Sequence, residues 1–497
     1  MVLKDLIKDL EILDVKGDLN LELDGIAYDS RKTKSGSLFV CIEGFKADGH
    51  KYIPQAIENG TKALLVQRDV EVPEGITVVR VKDTRYALAS IADIFHKHPS
   101  GKFKLIGVTG TKGKTTTTYM IKSILDTYGQ KTGLIGTICN KIGNEVLPTD
   151  RTTPESYDLQ ELFGEMLEKK VDSVVMEVSS HALDLHRVSC SEFDIGVFTN
   201  LSRDHLDFHK TFENYLAAKI KLFKMCKKGL VNIDSEYGRQ VVDSAECEVL
   251  TFGIDNDADI KAVDVVKKQD SVEFKVITPW FTEEIHVNIP GKFSVYNALA
   301  AVGSCALMGI SFEYIKDGLK SVTVPGRAEV VATGTDYTVI IDYAHSPDSL
   351  ENILATVKGY APARVISLFG CGGDRDKSKR PIMGEISGKY ADFTIITSDN
   401  PRTEEPSAII NDIEEGIKKT KAAYITIVDR REAIKYAIQN ARPNDIIVLA
   451  GKGHETYIML NDKTIHFDER EVVREILVEM NAKLLDNTED NNGDFKV

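Results

Sequence analysis

The residues best suited to chemistry are Gly110-Thr111-Lys112-Gly113-Lys114-Thr115-Thr116. They lie between an apolar run, KFKLIGVTG at 102–110, and an amphipathic pattern, TTTTYMIKSILDTY, that Gly129 ends. The loop therefore reads as a turn from a strand into a helix. In that setting backbone N–H groups cradle phosphate, Lys114 can reach the outer phosphoryl oxygens, and the Thr115 hydroxyl can hold Mg²⁺. The full GxxxxGK[ST] string is incomplete, because Val108 stands where its first glycine would fall. Such a loop needs a carboxylate near its metal, usually at the end of a neighbouring strand. Glu177 closes the apolar run VDSVVMEVSS and is the candidate, with a surface strand end as the plain alternative. His205, in TNLSRDHLDFH just past the next strand, could add a nitrogen ligand or touch a phosphate, or could be structural.

Lys219 stands out by position. In TFENYLAAKIKLFKMC the apolar stripe runs Phe212, Tyr215, Leu216, Leu222, Phe223 and Cys226, and residue 219 falls on it. Either its stem packs while the ammonium escapes to water, or burial lowers the amine pKa and leaves a nucleophile able to form a carbamate with CO₂. Spacing alone favours the first reading.

These residues need elements to carry them. Short β-branched runs alternate with helical patterns, which predicts an α/β fold with a parallel sheet covered on both faces. After about residue 330 the pattern restarts with TVIIDYAH, ARVISLFGCGG, DFTIITSDNPR, AYITIVD and DIIVLAGKGHE, five strands whose C-terminal loops hold the unusual residues. Ligands bind at that end of open α/β sheets, so this segment reads as a separate Rossmann-like domain. Breaks at HPSG (98–101) and VPGR (324–327) suggest three domains, 1–101, 102–331 and 332–485, followed by a polar disordered tail at 486–497.

The 497 residues suit about three domains. The 76 acidic and 62 basic side chains give a net charge of −14, which excludes a general nucleic-acid binder while leaving room for a local basic cleft. No apolar stretch is long enough to span a bilayer and the N-terminus is unlike a signal peptide, so a cytoplasmic protein is expected. The seven cysteines are scattered with no CxxC pair, which argues against a disulfide framework or a zinc ribbon.

Taken in order, GTKGKTT, EVSSHAL, TNLSRDHLDFH, YLAAK, PGRAE, DYAHSPDS, GCGGDRDKSKRP, DNPR and GKGHE resemble the Mur ligases over essentially the whole chain except the tail. The resemblance implies an ATP-dependent, ADP-forming ligase of peptidoglycan precursor synthesis. Its three domains would bind a UDP-sugar peptide (N-terminal α/β), ATP (central P-loop sheet) and an amino acid (C-terminal Rossmann-like). It makes Lys219 the family's carbamylated lysine, holding one Mg²⁺ with His205, while Thr115 and Glu177 serve another. Ser30, Thr152, Thr153, Ser179 and Arg187 would contact UDP-MurNAc-L-Ala-D-Glu. Leu185 and Arg151 depart from the glutamine and asparagine of some relatives. Asn297, Arg327, Asp342 and His345, with Tyr343, would join the glycine loop in binding ATP.

Arg375, Asp399, Asn400, Pro401, Arg402, Gly451 and Glu455 would form the amino-acid pocket. A lysine substrate ends in a cation that Arg402 repels. meso-Diaminopimelate ends in a carboxylate-bearing centre that Arg402 can grip bidentately, with Glu455 on its ammonium. The expected reaction is attack of the D-Glu side-chain carboxylate on ATP, giving an acyl phosphate that the diaminopimelate amine then opens. The expected partners are these small molecules, with no nucleic acid or membrane, and the expected state is a monomer. The alternatives are a lysine-adding ligase, a folylpolyglutamate synthetase and a P-loop ATPase switch. Residues 1–100 argue against the second, and the loaded C-terminal loops against the third.

Overall fold

Parallel strands buried on both faces need near-continuous apolar runs, and the chain supplies three sets of them. The structure, a computed structural model, describes residues 1–45 and 47–490. The chain divides into two compact units. One comprises Met1–Lys261, Ile277–Phe281 and Tyr296–Gly318; the other comprises Ala262–Val276, Thr282–Val295 and Leu319–Val497.

The first unit holds two sheets. The N-terminal one has five strands in the order Ile12–Lys16, Thr77–Val81, Ala63–Val66, Ser37–Val40 and Gly25–Ala27. All pairs are parallel except the first. In the next sheet Lys104–Thr109 lies between Phe193–Phe198 and Ser173–Glu177, parallel to both. Cys226–Asn232 and Glu248–Gly253 extend it on one side and Thr132–Ile135 on the other. Helix Lys114–Thr127 leaves the glycine loop, and Gly129 beyond its end has φ +93°. The expected strand–loop–helix order is therefore present.

In the second unit Thr338–Asp342, Ile446–Ala450, Val365–Phe369, Phe393–Ile396 and Ala423–Thr426 form a parallel sheet in that order. These are the five strands expected from the sequence. Their residues pack into one core with helices Arg430–Gln439 and Glu469–Asp490. A sixth strand, Glu329–Val331, pairs antiparallel with Thr338–Asp342, so this sheet starts just before the expected boundary at 331. A separate hairpin, Tyr457–Leu460 with Lys463–His466, follows the GKGHE loop. Helix Glu469–Asp490 takes in 486–490, where a disordered tail was expected, because the preceding Leu484–Leu485 pair continues a helix-forming stretch. The rest of that tail lies outside the described residues.

Candidate active site

Gly110 leaves the strand Lys104–Thr109 at φ +148°, and a Cβ there would stand 1.9 Å from Thr199 Oγ1. Only glycine lets the two strand ends meet this closely. Asn200 fastens the loop: its Oδ1 accepts from Lys112 N–H (2.9 Å), its Nδ2 donates to Lys112 O (3.1 Å), and its carbonyl accepts from Thr111 N–H (2.9 Å). Thr199 Oγ1 donates to Lys112 O at 2.6 Å. The Thr111 hydroxyl lies 3.0 Å from that of Tyr215. Lys114 folds back over the loop, donating to Gly110 O (2.9 Å) and Thr111 O (3.1 Å), which puts its charge where phosphoryl oxygens would lie. Thr115 and Thr116 open the helix and are buried. Asn297, expected at ATP, has its Oδ1 accepting from Thr117 Oγ1 (3.3 Å), and a Cβ on Gly113 would come within 2.5 Å of it. In this structure it braces the glycine loop.

Glu177 ends its strand buried, so the surface alternative is excluded. Its carboxylate accepts from Thr137 N–H at 2.9 Å and Thr137 Oγ1 at 3.1 Å. The Thr137 hydroxyl lies 3.0 Å from that of Thr152, and Thr153 Oγ1 donates to Glu177 O at 2.8 Å. Ser179 N–H donates to Thr153 Oγ1 at 3.1 Å, and Arg187 Nη1 donates to Thr153 O at 3.2 Å. Four of the five expected sugar-peptide residues thus form one chain of contacts beginning at Glu177. The fifth, Ser30, lies in the N-terminal sheet's loops, its hydroxyl donating to Gln55 Oε1 at 2.7 Å.

Lys219 does not reach water. It lies on helix Phe212–Ile220 and is 1% exposed, among buried Tyr215, Leu216, Leu222 and Phe223. Its ammonium sits over the Tyr215 ring, 4.4 Å from the centroid. Burial, with Lys114 nearby, drives its pKa well below that of an ordinary lysine, and Asp204 opposes this only in part. A buried amine that gives up its proton is a nucleophile, as a carbamate requires. Each of the two Mg²⁺ sites expected here draws one ligand from an acid or histidine, with hydroxyl or carbamate oxygen as the other. No group of three His, Cys, Asp or Glu side chains that could hold a metal ion is found among the described residues. His205 adopts a left-handed conformation at φ +51°, its ring edge-on to His181 (4.9 Å) and Tyr215 (6.2 Å). Burial and the nearby Lys114 and Lys219 lower its pKa, which favours the neutral imidazole that can donate a lone pair.

The second unit gathers two further groups. Around Tyr343, the Arg327 guanidinium lies 5.1 Å from the ring centroid, and the rings of His345 and His454 lie 4.6 and 4.7 Å away. His345 Nδ1 is 2.9 Å from Tyr343 O, and Asp342 Oδ2 accepts from Ala328 N–H at 2.8 Å. Arg327, Asp342 and His345 are therefore neighbours, and His454, which sequence reading missed, joins them.

The other group centres on Asn400. Its Nδ2 donates to Glu455 Oε2 (2.8 Å), while its Oδ1 accepts from Met459 N–H (3.0 Å) and Lys452 Nζ (3.2 Å). Lys452 is 0% exposed and also donates to Glu455 Oε2 at 3.2 Å, with Asp399 3.9 Å away. It too was missed, since a lysine between two glycines reads as solvated. Gly451, at φ +113°, would bring a Cβ within 2.6 Å of Asp399 Oδ2. Arg402, next to Pro401, is left-handed at φ +54°, its N–H donating to Met459 O (3.0 Å), its carbonyl accepting from Asn461 N–H (2.7 Å) and its Nη1 donating to Gly373 O (2.7 Å). Arg375 is the member that stands apart, exposed and, among the described residues, bonded only to Asp374 O at 3.0 Å.

The sequence matches three family models in succession: "Mur ligase family, catalytic domain" at 22–96, "Mur ligase middle domain" at 108–305 and "Mur ligase, glutamate ligase domain" at 326–453. A relative from Caldanaerobacter subterraneus subsp. tengcongensis is 54% identical over 480 residues, covering 96% of this chain and 99% of the relative.

The chain belongs to the Mur ligase family.

That relative is named "UDP-N-acetylmuramoyl-L-alanyl-D-glutamate--2,6-diaminopimelate ligase", and one from Clostridium acetobutylicum, named as form 1 of the same ligase, is 50% identical over 97% of this chain and 100% of its own length. A solved structure titled for that ligase matches this Mur ligase with TM-score 0.73 and 28% identity, over 97% of this chain and 99% of that one.

Proposed function

We propose that this Mur ligase joins meso-diaminopimelate to the side-chain carboxylate of D-glutamate in UDP-MurNAc-L-Ala-D-Glu, converting ATP to ADP and phosphate. The observation that carries the reading is the pocket around Asn400. It combines a guanidinium, Arg402, with a carboxylate, Glu455, and diaminopimelate ends in the matching pair of groups. A lysine side chain has no carboxylate to offer Arg402. The names of the relatives agree with this choice.

In the first step a D-Glu carboxylate oxygen attacks the γ-phosphorus and ADP leaves. In the second the diaminopimelate amine attacks the acyl carbon, and phosphate departs as the amine loses its proton. Lys114 and the N–H groups of residues 110–116 offset charge on the transferred phosphoryl group, so no enzyme nucleophile is needed. Thr115 and Glu177, and His205 with a carbamate on Lys219, offer mainly hard oxygen donors that suit Mg²⁺, which when bound neutralises phosphate charge. Thr152, Thr153, Ser179, Arg187 and Ser30 are assigned to the nucleotide-peptide, and Arg327, Asp342 and His345 to ATP, with Asn297 acting through the glycine loop. Asp399, Pro401, Gly451 and Arg375 complete the diaminopimelate set.

We read three domains, 1–101 for the uridine end, 102–331 for ATP, and the remainder from 332 for the amino acid. No helix among the described residues is long and apolar enough to cross a membrane. We place the enzyme in the cytoplasm as a monomer that takes neither nucleic acid nor membrane as partner.

Phosphate release in the presence of UDP-MurNAc-L-Ala-D-Glu is the test. Release is expected with diaminopimelate and not with lysine or without amino acid. Equal rates in all three arms would refute ligation, and preference for lysine would refute the pocket assignment.

A further inference from the structure

Three guanidinium groups in the first unit converge on one buried carboxylate. Arg85 sits in the first turn of helix Thr84–Phe95, fixed there because the capping carboxylate of Asp83 accepts from the N–H groups of Arg85 (2.8 Å) and Tyr86 (3.2 Å). Arg151 precedes the Thr152–Thr153 pair, and Arg187 follows helix Ser180–Asp184. Arg85 Nη1, Arg151 Nη1 and Arg187 Nε lie 3.7, 3.2 and 3.4 Å from the same oxygen, Oε2 of Glu155. Asp158, one turn further on, is already engaged by the Tyr28 hydroxyl. At Glu155 itself three guanidinium groups share one carboxylate, those of Arg85 and Arg187 largely shielded from water and that of Arg151 about half exposed.

A guanidinium shielded from water calls for full pairing of its N–H groups. Arg187 shows the deficit directly. Its Nε is buried and makes no hydrogen bond among the described residues, and burial lowers its pKa despite Glu155 alongside.

We propose that Arg85 is a further substrate-binding residue: with Arg151 and Arg187 it forms a grip for the α-carboxylate of the D-glutamyl residue, and Glu155 is the resident counter-ion that holds the three guanidinium groups together. This rests on the function proposed above. Guanidinium groups pair bidentately with carboxylates. The position also fits, because Arg187 donates to Thr153 O and Thr153 Oγ1 donates to Glu177 O. A glutamyl residue whose side-chain carboxylate is activated near Glu177 carries its α-carboxylate only a short carbon chain away.

The test compares UDP-MurNAc-L-Ala-D-Glu with its α-carboxamide, the D-isoglutamine analogue, which keeps the reacting carboxylate. The wild type is expected to show a KM about tenfold or more higher for the amide, the scale of a lost charge-assisted hydrogen bond. Arg85→Ala is expected to raise KM for the natural substrate about tenfold, more than it lowers kcat, and to leave KM for ATP and diaminopimelate unmoved. Its penalty on the amide should be smaller, so that discrimination between the two substrates shrinks. Arg85→Lys should fall between the two proteins, and carries the test if the alanine variant does not fold. Unchanged KM values, or an equal rise for acid and amide, would overturn the grip. A wild type that turns over neither nucleotide-peptide would instead overturn the proposed function.

Discussion

The glycine loop at 110–116 and the pocket around Asn400 both sit at the carboxyl ends of parallel strands, yet different forces shape them. The loop is fixed by neutral groups: backbone amides, the Asn200 amide and the Thr111 and Thr199 hydroxyls. Lys114 folds back onto the loop's own carbonyls, and burial drives the nearby Lys219 toward its neutral form. The Asn400 pocket is instead balanced in advance, with buried Lys452 set among Asp399, Glu455 and Asn400. A backbone held this way suits the highly charged ligand proposed for it. The pocket proposed to tell one amino acid from another has its charges fixed beforehand, at a cost in stability.

Removing the lysines of the first region should therefore abolish chemistry without unfolding the protein. Lys219→Ala is expected to lose roughly 10²–10³-fold or more in kcat, the scale of a lost electrostatic stabiliser at a reacting centre. Added short-chain carboxylates should restore part of the activity, and thermal protection by diaminopimelate should persist. Undiminished activity would remove the carbamate from the mechanism. In the second region the same kind of change should cost the fold itself. Lys452→Met leaves Asp399 and Glu455 facing each other without their cation, at a cost of about 3 kcal/mol in stability. Denaturant unfolding measures this, together with a raised KM for diaminopimelate and an unaltered KM for ATP. Gly110→Ala is the smallest change, a methyl forced against Thr199 at a backbone angle that L-residues resist. A penalty of about 1–3 kcal/mol is expected, read as a raised KM for ATP alone. A matching rise for diaminopimelate would erase the distinction between the two regions.

The strands and loops that carry the site were legible because long apolar runs ending in glycine or polar clusters leave few alternatives. The hairpin 457–466 was not, since its second strand is exposed along its whole length and shows no alternation. Lys219 was legible as an anomaly, but spacing could not separate a snorkelling side chain from a buried one; burial excludes the first. Asn297 was singled out as an ATP contact; its partners in the structure are Thr117 and the glycine loop, contacts made across 180 residues that no local pattern encodes. Arg85, Glu155 and Lys452 escaped notice for one reason. A charged residue in a polar stretch looks like solvated surface until the fold brings its partners to it.

The left-handed backbone at Arg402 bears on how such an enzyme could change its diet. Met459 and Asn461 grip that residue through main-chain groups alone, so the conformation does not depend on which side chain stands there. Asparagine and aspartate tolerate the same backbone angle well. The residue proposed to face the incoming amino acid can thus be exchanged while the surrounding backbone stays as it is. The cost falls on the hairpin, which cannot drift freely while it splints that position.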